Sequence, residues 1–303
     1  MMSSKETPSV VMQRTLAGSV KCAGVGLHSG KTVHMTIRPA PENHGITFKR
    51  IDLPDVPGIK ALFKMVVDTS LATVIGSDGA IVSTIEHLMA GFAGMGIDNA
   101  IVELDAHEVP VMDGSAGPFA RLIGKAGTCI QKAPRYGFII NEPIEISKDG
   151  KFVGVYPSNR FKISCTIDFA HPVIQKQSYS VTVCEKSFAN EVCNARTFGF
   201  LHELELMKAH GLAQGGSLEN AVVLDENSVL NEEGLRFADE FVRHKILDCI
   251  GDFSLLGIPL LGHVVAEKSG HAFNHEFLKH FFEATHAWET GIVIDDSLQN
   301  SEL

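Results

Sequence analysis

Regular patterning begins at Thr32, where Val33, Met35 and Ile37 alternate with His34, Thr36 and Arg38. A two-residue period predicts a half-buried strand. From Ser83 the period lengthens: Ile85, Leu88, Met89, Phe92 and Met95 share one helical face, and Gly94 and Gly96 stop the helix. Ala100–Leu104 reads as a strand, and Gly114–Pro118 turns into a short helix with proline near its first position. The polar stretch Ala126–Arg135 is a connector and the expected boundary between an N-terminal unit (12–130) and a C-terminal unit (131–303). Residues 1–11 read as a disordered lead-in. Beyond the connector, strands are expected over Phe138–Ile146, Phe152–Tyr156 and Phe161–Phe169, then a long helix over Glu233–Gly257, a strand at Gly262–Ala266 and a last helix through Phe282. The strings HLMAGFAGMGIDNAIVEL and KILDCIGDFSLLGIPLLGHVVAE share one grammar, an amphipathic helix, a glycine stop and a strand, which points to two related halves. Helices interspersed with strands of mixed pattern predict an α+β class rather than an alternating doubly wound sheet.

Composition narrows the function. The 303-residue chain carries a net charge of −10 and no basic tract, so no nucleic-acid partner is expected. Six scattered cysteines without a C-x-x-C pair suggest reduced thiols in a cytoplasmic setting. The first fifteen residues hold no apolar run of the secretory kind, and the longest apolar stretch, Phe253–Ala266, is interrupted by Pro259 and His263. It is too short to span a bilayer. The expectation is a soluble protein without a transmembrane segment, acting as a monomer.

Two motifs nearly fit and fail. Gly24–Thr32 resembles a phosphate loop, but a P-loop would need glycine at Val25, and the pattern feeds a strand rather than a helix. A glycine turn between two strands is the expectation. Asp113–Gly117 departs from G-x-S-x-G, so no serine nucleophile is expected there.

The informative segment is Phe241–Leu256. Val242, Ile246, Ile250 and Phe253 form one helical face, and Phe241, His244, Lys245, Asp248 and Asp252 the opposite one. His244 and Asp248 lie one turn apart and can reach a single ion, since imidazole and carboxylate both ligate zinc. A solvated stripe of ion pairs has the same spacing. His87 stands opposite the apolar face of the first helix beside Ala90, Gly91 and Gly94, small residues that leave room for a close approach. Glu86 completes a capping box with Ser83, the local alternative to its acting on water at a neighbouring metal.

The strings GVGLHSGKTV, STIEHLMAGFAGMGIDNAIVEL, MDGSAGPF, ARTFGF, DEFVRHKILDCIGD and KSGHAFNH resemble the UDP-3-O-acyl-N-acetylglucosamine deacetylase family, from about Gln13 to Trp288. The resemblance implies a zinc amidase at the second, committed step of lipid A synthesis in Gram-negative bacteria. It also implies two domains of similar topology, helix layers on mixed sheets facing each other, with the site between them. Carried over residue by residue, it implies zinc ligands at His87, His244 and Asp248, a general base at Glu86 and a second proton carrier at His271. Asp252 is implied to support that histidine, Thr197 to stabilise the oxyanion, and Lys245 to contact the phosphates of the UDP-linked substrate. Phe169 matches a residue stacking on uracil, and Phe198, Leu206, Ala213 and Val223 match an acyl tunnel built by a strand–helix–strand insert at 197–224. His271 and His275 form a rival H-x-x-x-H pair that lacks a carboxylate. Iron(II) would accept the same ligands. An amidase for another N-acetylated sugar nucleotide and a binding module without catalysis are the alternatives.

Overall fold

The computed structural model describes residues 9–55 and 57–295. Six helices are present among them: α1 (Glu86–Gly94), α2 (Gly117–Ala126), α3 (Glu185–Ser187), α4 (Leu201–Ala209), α5 (Glu240–Phe253) and α6 (His271–Glu283). With mixed sheets beneath them, the architecture is α+β.

A five-stranded sheet runs in the order Val20–Val25, Thr32–Pro39, Ala100–Leu104, Ile46–Arg50, Ile59–Lys60. Ala100–Leu104 lies antiparallel to Thr32–Pro39 and parallel to Ile46–Arg50. Val33, Met35 and Ile37 are buried beneath the helices, as their alternation requires. A seven-stranded sheet is centred on Leu260–Glu267. That strand pairs antiparallel with Lys151–Pro157 and parallel with Tyr136–Ile140 and Lys162–Phe169. The strand that follows each glycine stop therefore sits inside its sheet: Ala100–Leu104 after α1, Leu260–Glu267 after α5. Gly257 makes its stop by adopting φ +89°, open to glycine without strain. Helices α1 and α5 pack along each other, and a single apolar core joins both sheets through them.

Several expectations change. The connector is not irregular: Thr128–Pro134 is a strand antiparallel to Met12–Leu16. Residues 1–8 of the lead-in lie outside the described residues, but Ser9–Val10 pair with Ile294–Asp295. The stretch expected as one strand to Ile146 is two, Tyr136–Ile140 and Ile144–Lys148, in different parts of the sheet. The helix expected from Glu233 begins only at Glu240. Glu240 is claimed by tertiary bonds, its carboxylate accepting from the Arg196 guanidinium and from the backbone N–H groups of Arg196 and Arg236. The insert takes the expected form, Phe198–Phe200 parallel to Val222–Leu224 with α4 between them.

Candidate active site

The site forms where the start of α1 meets the middle of α5. Gly251 permits the meeting: a Cβ there would lie 2.1 Å from the Glu86 carbonyl oxygen. The capping box does not form. The Ser83 hydroxyl bonds the His107 carbonyl, Thr84 takes φ +58°, and α1 opens without a side-chain cap. Buried Glu108 braces this turn, accepting from the Thr84 hydroxyl and from the backbone N–H groups of His28 and Ser29. Freed from capping, the Glu86 side chain turns inward, and its Oε2 accepts the backbone N–H of Thr73 at 3.1 Å.

His87, His244 and Asp248 converge, each buried, with one donor atom apiece within 4.8 Å of the others. Asp248 Oδ1 lies 3.6 Å from His87 Nε2 and 3.4 Å from His244 Nε2. The His244 Nδ1–H donates to the Ala195 carbonyl at 3.1 Å, which leaves Nε2 with its lone pair toward the cluster. Asp248 Oδ2 accepts from the Lys245 ammonium at 2.6 Å, while Oδ1 is buried with no hydrogen-bond partner. An orphaned carboxylate oxygen facing two imidazole nitrogens is costly unless a cation joins them. The donor set N, N, O fits a divalent ion and leaves a coordination position for a reactant. Burial pushes the His244 imidazole down to about 3, so it is neutral and able to ligate. Burial resists charge on Asp248, but His244 and Lys245 overcome it and hold the carboxyl well below its usual range. The Lys245 ammonium, desolvated but facing Asp248, is held above its own.

Beside the cluster, His271 Nε2 lies 3.7 Å from Glu86 Oε1, and its Nδ1 lies 2.9 Å from Asp252 Oδ2. Burial disfavours the imidazolium, but Asp252 and Glu86 outweigh it and raise His271 to about 10. Burial raises Glu86 above the usual carboxylate range despite the opposing pull of His271. A protonated imidazole and a carboxylate thus face each other beside the candidate metal-binding group, a pairing suited to proton transfer. Neither His275 nor the rival pair belongs to a group of three or more possible ligands among the described residues.

A cavity of about 340 Å³ opens over these residues, bordered by Glu86, His87, His244, Lys245, Asp248 and His271 and also by Thr197, Phe169 and Phe198. A larger cavity of about 950 Å³ lies against Met89, Phe92, Ile250 and Phe253 of the same two helices. It borders none of the titratable cluster, so the chemistry belongs to the smaller one.

A family model for UDP-3-O-acyl N-acetylglycosamine deacetylase matches residues 13–283. The chain belongs to this family. A protein of Myxococcus xanthus (strain DK1622) named UDP-3-O-acyl-N-acetylglucosamine deacetylase is 56% identical over 272 residues, 90% of this chain and 87% of the relative. Proteins of the same name from Chromohalobacter salexigens and Syntrophus aciditrophicus are 49% and 46% identical, covering 97% and 93% of the chain and 97% and 90% of their own lengths.

The remaining residues implied by the family resemblance divide. Thr197, Lys245, Phe169 and Phe198 reach the cavity, and the Phe198 ring lies 6.3 Å from that of His244. Leu206 is 62% exposed on α4, while Ala213 and Val223 are buried, and none of the three borders the cavity. The small residues beside His87 admit a close approach by protein: a Cβ on Gly94 would meet the Phe188 ring at 2.2 Å, and one on Gly91 would meet Phe119 at 3.3 Å. Gly251 makes a further close approach, that of α5 to the start of α1. Sequence reasoning missed Thr73 and Asn274, both buried and both bonded to Asp252. It also read Leu27 and His28 as part of a plain turn, whereas they line the cavity. No helix among the described residues is long and apolar enough to cross a membrane.

Proposed function

We propose that the chain hydrolyses the N-acetyl group of UDP-3-O-acyl-N-acetylglucosamine, releasing acetate and a free 2-amino group, as a zinc-dependent cytoplasmic enzyme of lipid A synthesis. The observation that carries the metal reading is the orphaned, buried Asp248 Oδ1 aimed at His87 and His244. Names of relatives support the substrate. The same reading takes 12–130 and 131–303 as two related domains with the site between them, supported by the matching helix–glycine–strand units.

His87, His244 and Asp248 would hold the ion. Bound there, zinc supplies Lewis acidity toward the acetamide carbonyl and toward water. Glu86, ionised, takes a proton from the attacking water at Oε1 or Oε2, and the oxygen adds to the carbonyl carbon. The Thr197 hydroxyl donates to the oxyanion that develops, and the His271 imidazolium lends it positive charge. The His271 Nε2 proton then passes to the amide nitrogen as the C–N bond breaks, so the amine leaves neutral. Glu86 is left protonated and His271 neutral. A proton shift across their 3.7 Å separation restores both. Asp252 keeps His271 oriented and charged. The Lys245 ammonium donates to Asp248 in this structure and has two further protons for the substrate's phosphates. Phe169 offers a face to uracil, Phe198 borders the cavity where an acyl path would begin, and Leu206, Ala213 and Val223 of the insert are the further residues proposed for that path.

Metal analysis and turnover on three proteins test this reading. Asp248→Ala is expected to lose both metal and activity. Glu86→Ala is expected to keep its metal and lose about 10²–10⁴-fold in kcat. A wild-type protein that deacetylates at full rate after complete metal removal refutes it.

A further inference from the structure

Thr73 sits at the junction of four elements and bonds directly to two of them, α1 and α5. It lies in the turn between the antiparallel strands Val66–Asp68 and Val74–Ser77 and is 2% exposed. Its carbonyl accepts the Ile85 N–H at 3.3 Å, at the entrance of α1. Its N–H donates to Glu86 Oε2 at 3.1 Å. Its hydroxyl donates to Asp252 Oδ1 on α5 at 2.7 Å, and the same oxygen lies 3.4 Å from His271 Nδ1 at the start of α6. The hydroxyl has one proton, and the geometry settles its direction. His271 Nδ1–H points at Asp252 Oδ2, so the hydroxyl proton goes to Oδ1. Asn274 Nδ2 donates to Oδ2 as well, at 2.8 Å. The Asp252 carboxylate therefore has three donors, and neither oxygen is free to swing.

This arrangement matters because the base and the acid come from different elements. Glu86 is on α1 and His271 on α6, 185 positions apart in the chain, and nothing local sets the spacing between them. Thr73 touches the base through its backbone and the acid's carboxylate partner through its side chain. We propose that Thr73 is a positioning residue that fixes His271 against Glu86 through Asp252, with Asn274 as the second brace on the same carboxylate. The inference rests on the reading that Glu86 and His271 carry the protons.

Thr73→Val keeps the shape and the backbone N–H and removes the hydroxyl alone. Thr73→Ser returns the hydroxyl without the methyl group. Outer partners of catalytic groups typically contribute about 10–100-fold, so Thr73→Val is expected to lower kcat by about that factor. KM is expected to stay within about twofold, because the hydroxyl does not reach the substrate. Thr73→Ser should recover most of the rate, Asn274→Ser should reproduce the kcat loss, and bound metal and thermal midpoint should change little in all three. A Thr73→Val protein with wild-type kcat overturns the inference, as does a loss that appears in KM or metal content or that Thr73→Ser fails to rescue. If Thr73→Val does not fold, the Asn274→Ser and Thr73→Ser proteins decide by the same criteria. Glu86→Gln is run in parallel. Full activity in that variant removes the proton-transfer reading itself, whereas its collapse beside an unaffected Thr73→Val removes the Thr73 inference alone.

Discussion

Gly251→Ala sets two physical effects against each other. Alanine in a helix interior is favoured over glycine by roughly 0.5–1 kcal/mol, so propensity alone predicts a more stable α5. The packing predicts the reverse. The added Cβ would stand 2.1 Å from the Glu86 oxygen, 2.8 Å from its carbonyl carbon and 3.0 Å from its Cα, all backbone atoms that cannot rotate away. Ordinary contact begins at 3.4 Å, so the helices must part by about 1.3 Å. Overpacking of this kind costs about 1–3 kcal/mol, enough to cancel or exceed the propensity gain. The chemical effect is larger. The displaced segment carries Glu86 and His87, whose partners His271, His244 and Asp248 stay behind on α5 and α6. A misplacement of about 1 Å at a reacting centre can cost roughly 10²-fold in rate. Gly251→Ala is therefore expected to lose about that factor in kcat, to bind metal more weakly and to show no gain in urea midpoint. Acetate release, metal content and urea unfolding measure the three. A variant that is both more stable and fully active would refute the claim that this crossing sets the site.

Arg196 is 2% exposed with its guanidinium on the fully buried Glu240 carboxylate. Glu240→Ala is expected to destabilise in urea unfolding by less than the roughly 3–5 kcal/mol of a fully unpaired buried charge, because the Arg196 guanidinium keeps Glu233 Oε1 and the Gly234 carbonyl. Replacing both residues by apolar ones should recover much of that loss, and a double variant no better than the single one would sink the argument. The rate should follow a bell in pH. It rises as Glu86 ionises, above the usual carboxylate range because burial raises that group, and falls as His271 loses the proton that Asp252 and Glu86 hold up to about 10. A dication held by the proposed ligands would lower both limbs. In metal-free protein the His271 ring should therefore titrate at higher pH than in the loaded enzyme, and an NMR titration showing it neutral at pH 7 would remove its role as acid.

The spacing of His244 and Asp248 was readable in the sequence, but its meaning was not. A solvated stripe of ion pairs has the same period, and only burial separates the two. In the structure α5 is covered on nearly every side, Phe241, His244, Asp248 and Asp252 included. A polar face so covered must be satisfied from elsewhere. Satisfaction comes from residues that no local pattern could nominate: the Ala195 carbonyl for His244, Thr73 and Asn274 for Asp252. Thr73 is 179 positions from Asp252, in the turn between two short strands. The ligands and proton carriers named through the family likeness do meet at one place, but the residues that hold them there were invisible.

The misread elements share a cause. Ser83 and Glu86 satisfy the capping pattern, yet both side chains are drawn off by distant groups, Ser83 by the His107 carbonyl and Glu86 by the Thr73 amide. Glu233–Asp239 has helical character, yet the segment stays unwound, and its ends are tied to buried Arg196: Glu233 Oε1 and the Gly234 carbonyl accept from that guanidinium, and Glu240 takes the rest. In each case a local hydrogen bond worth about 1 kcal/mol competes with a buried charge or polar group whose abandonment costs more. The same reasoning explains the glycines of α1. Gly91 and Gly94 leave room for a close approach, and it is Phe119 and Phe188 that make it. With those sides of α1 packed against protein, His87 is open only toward α5 and the smaller cavity. A reactant for the proposed metal group of His87, His244 and Asp248 would arrive through that cavity, which Thr197, Phe198 and His271 border.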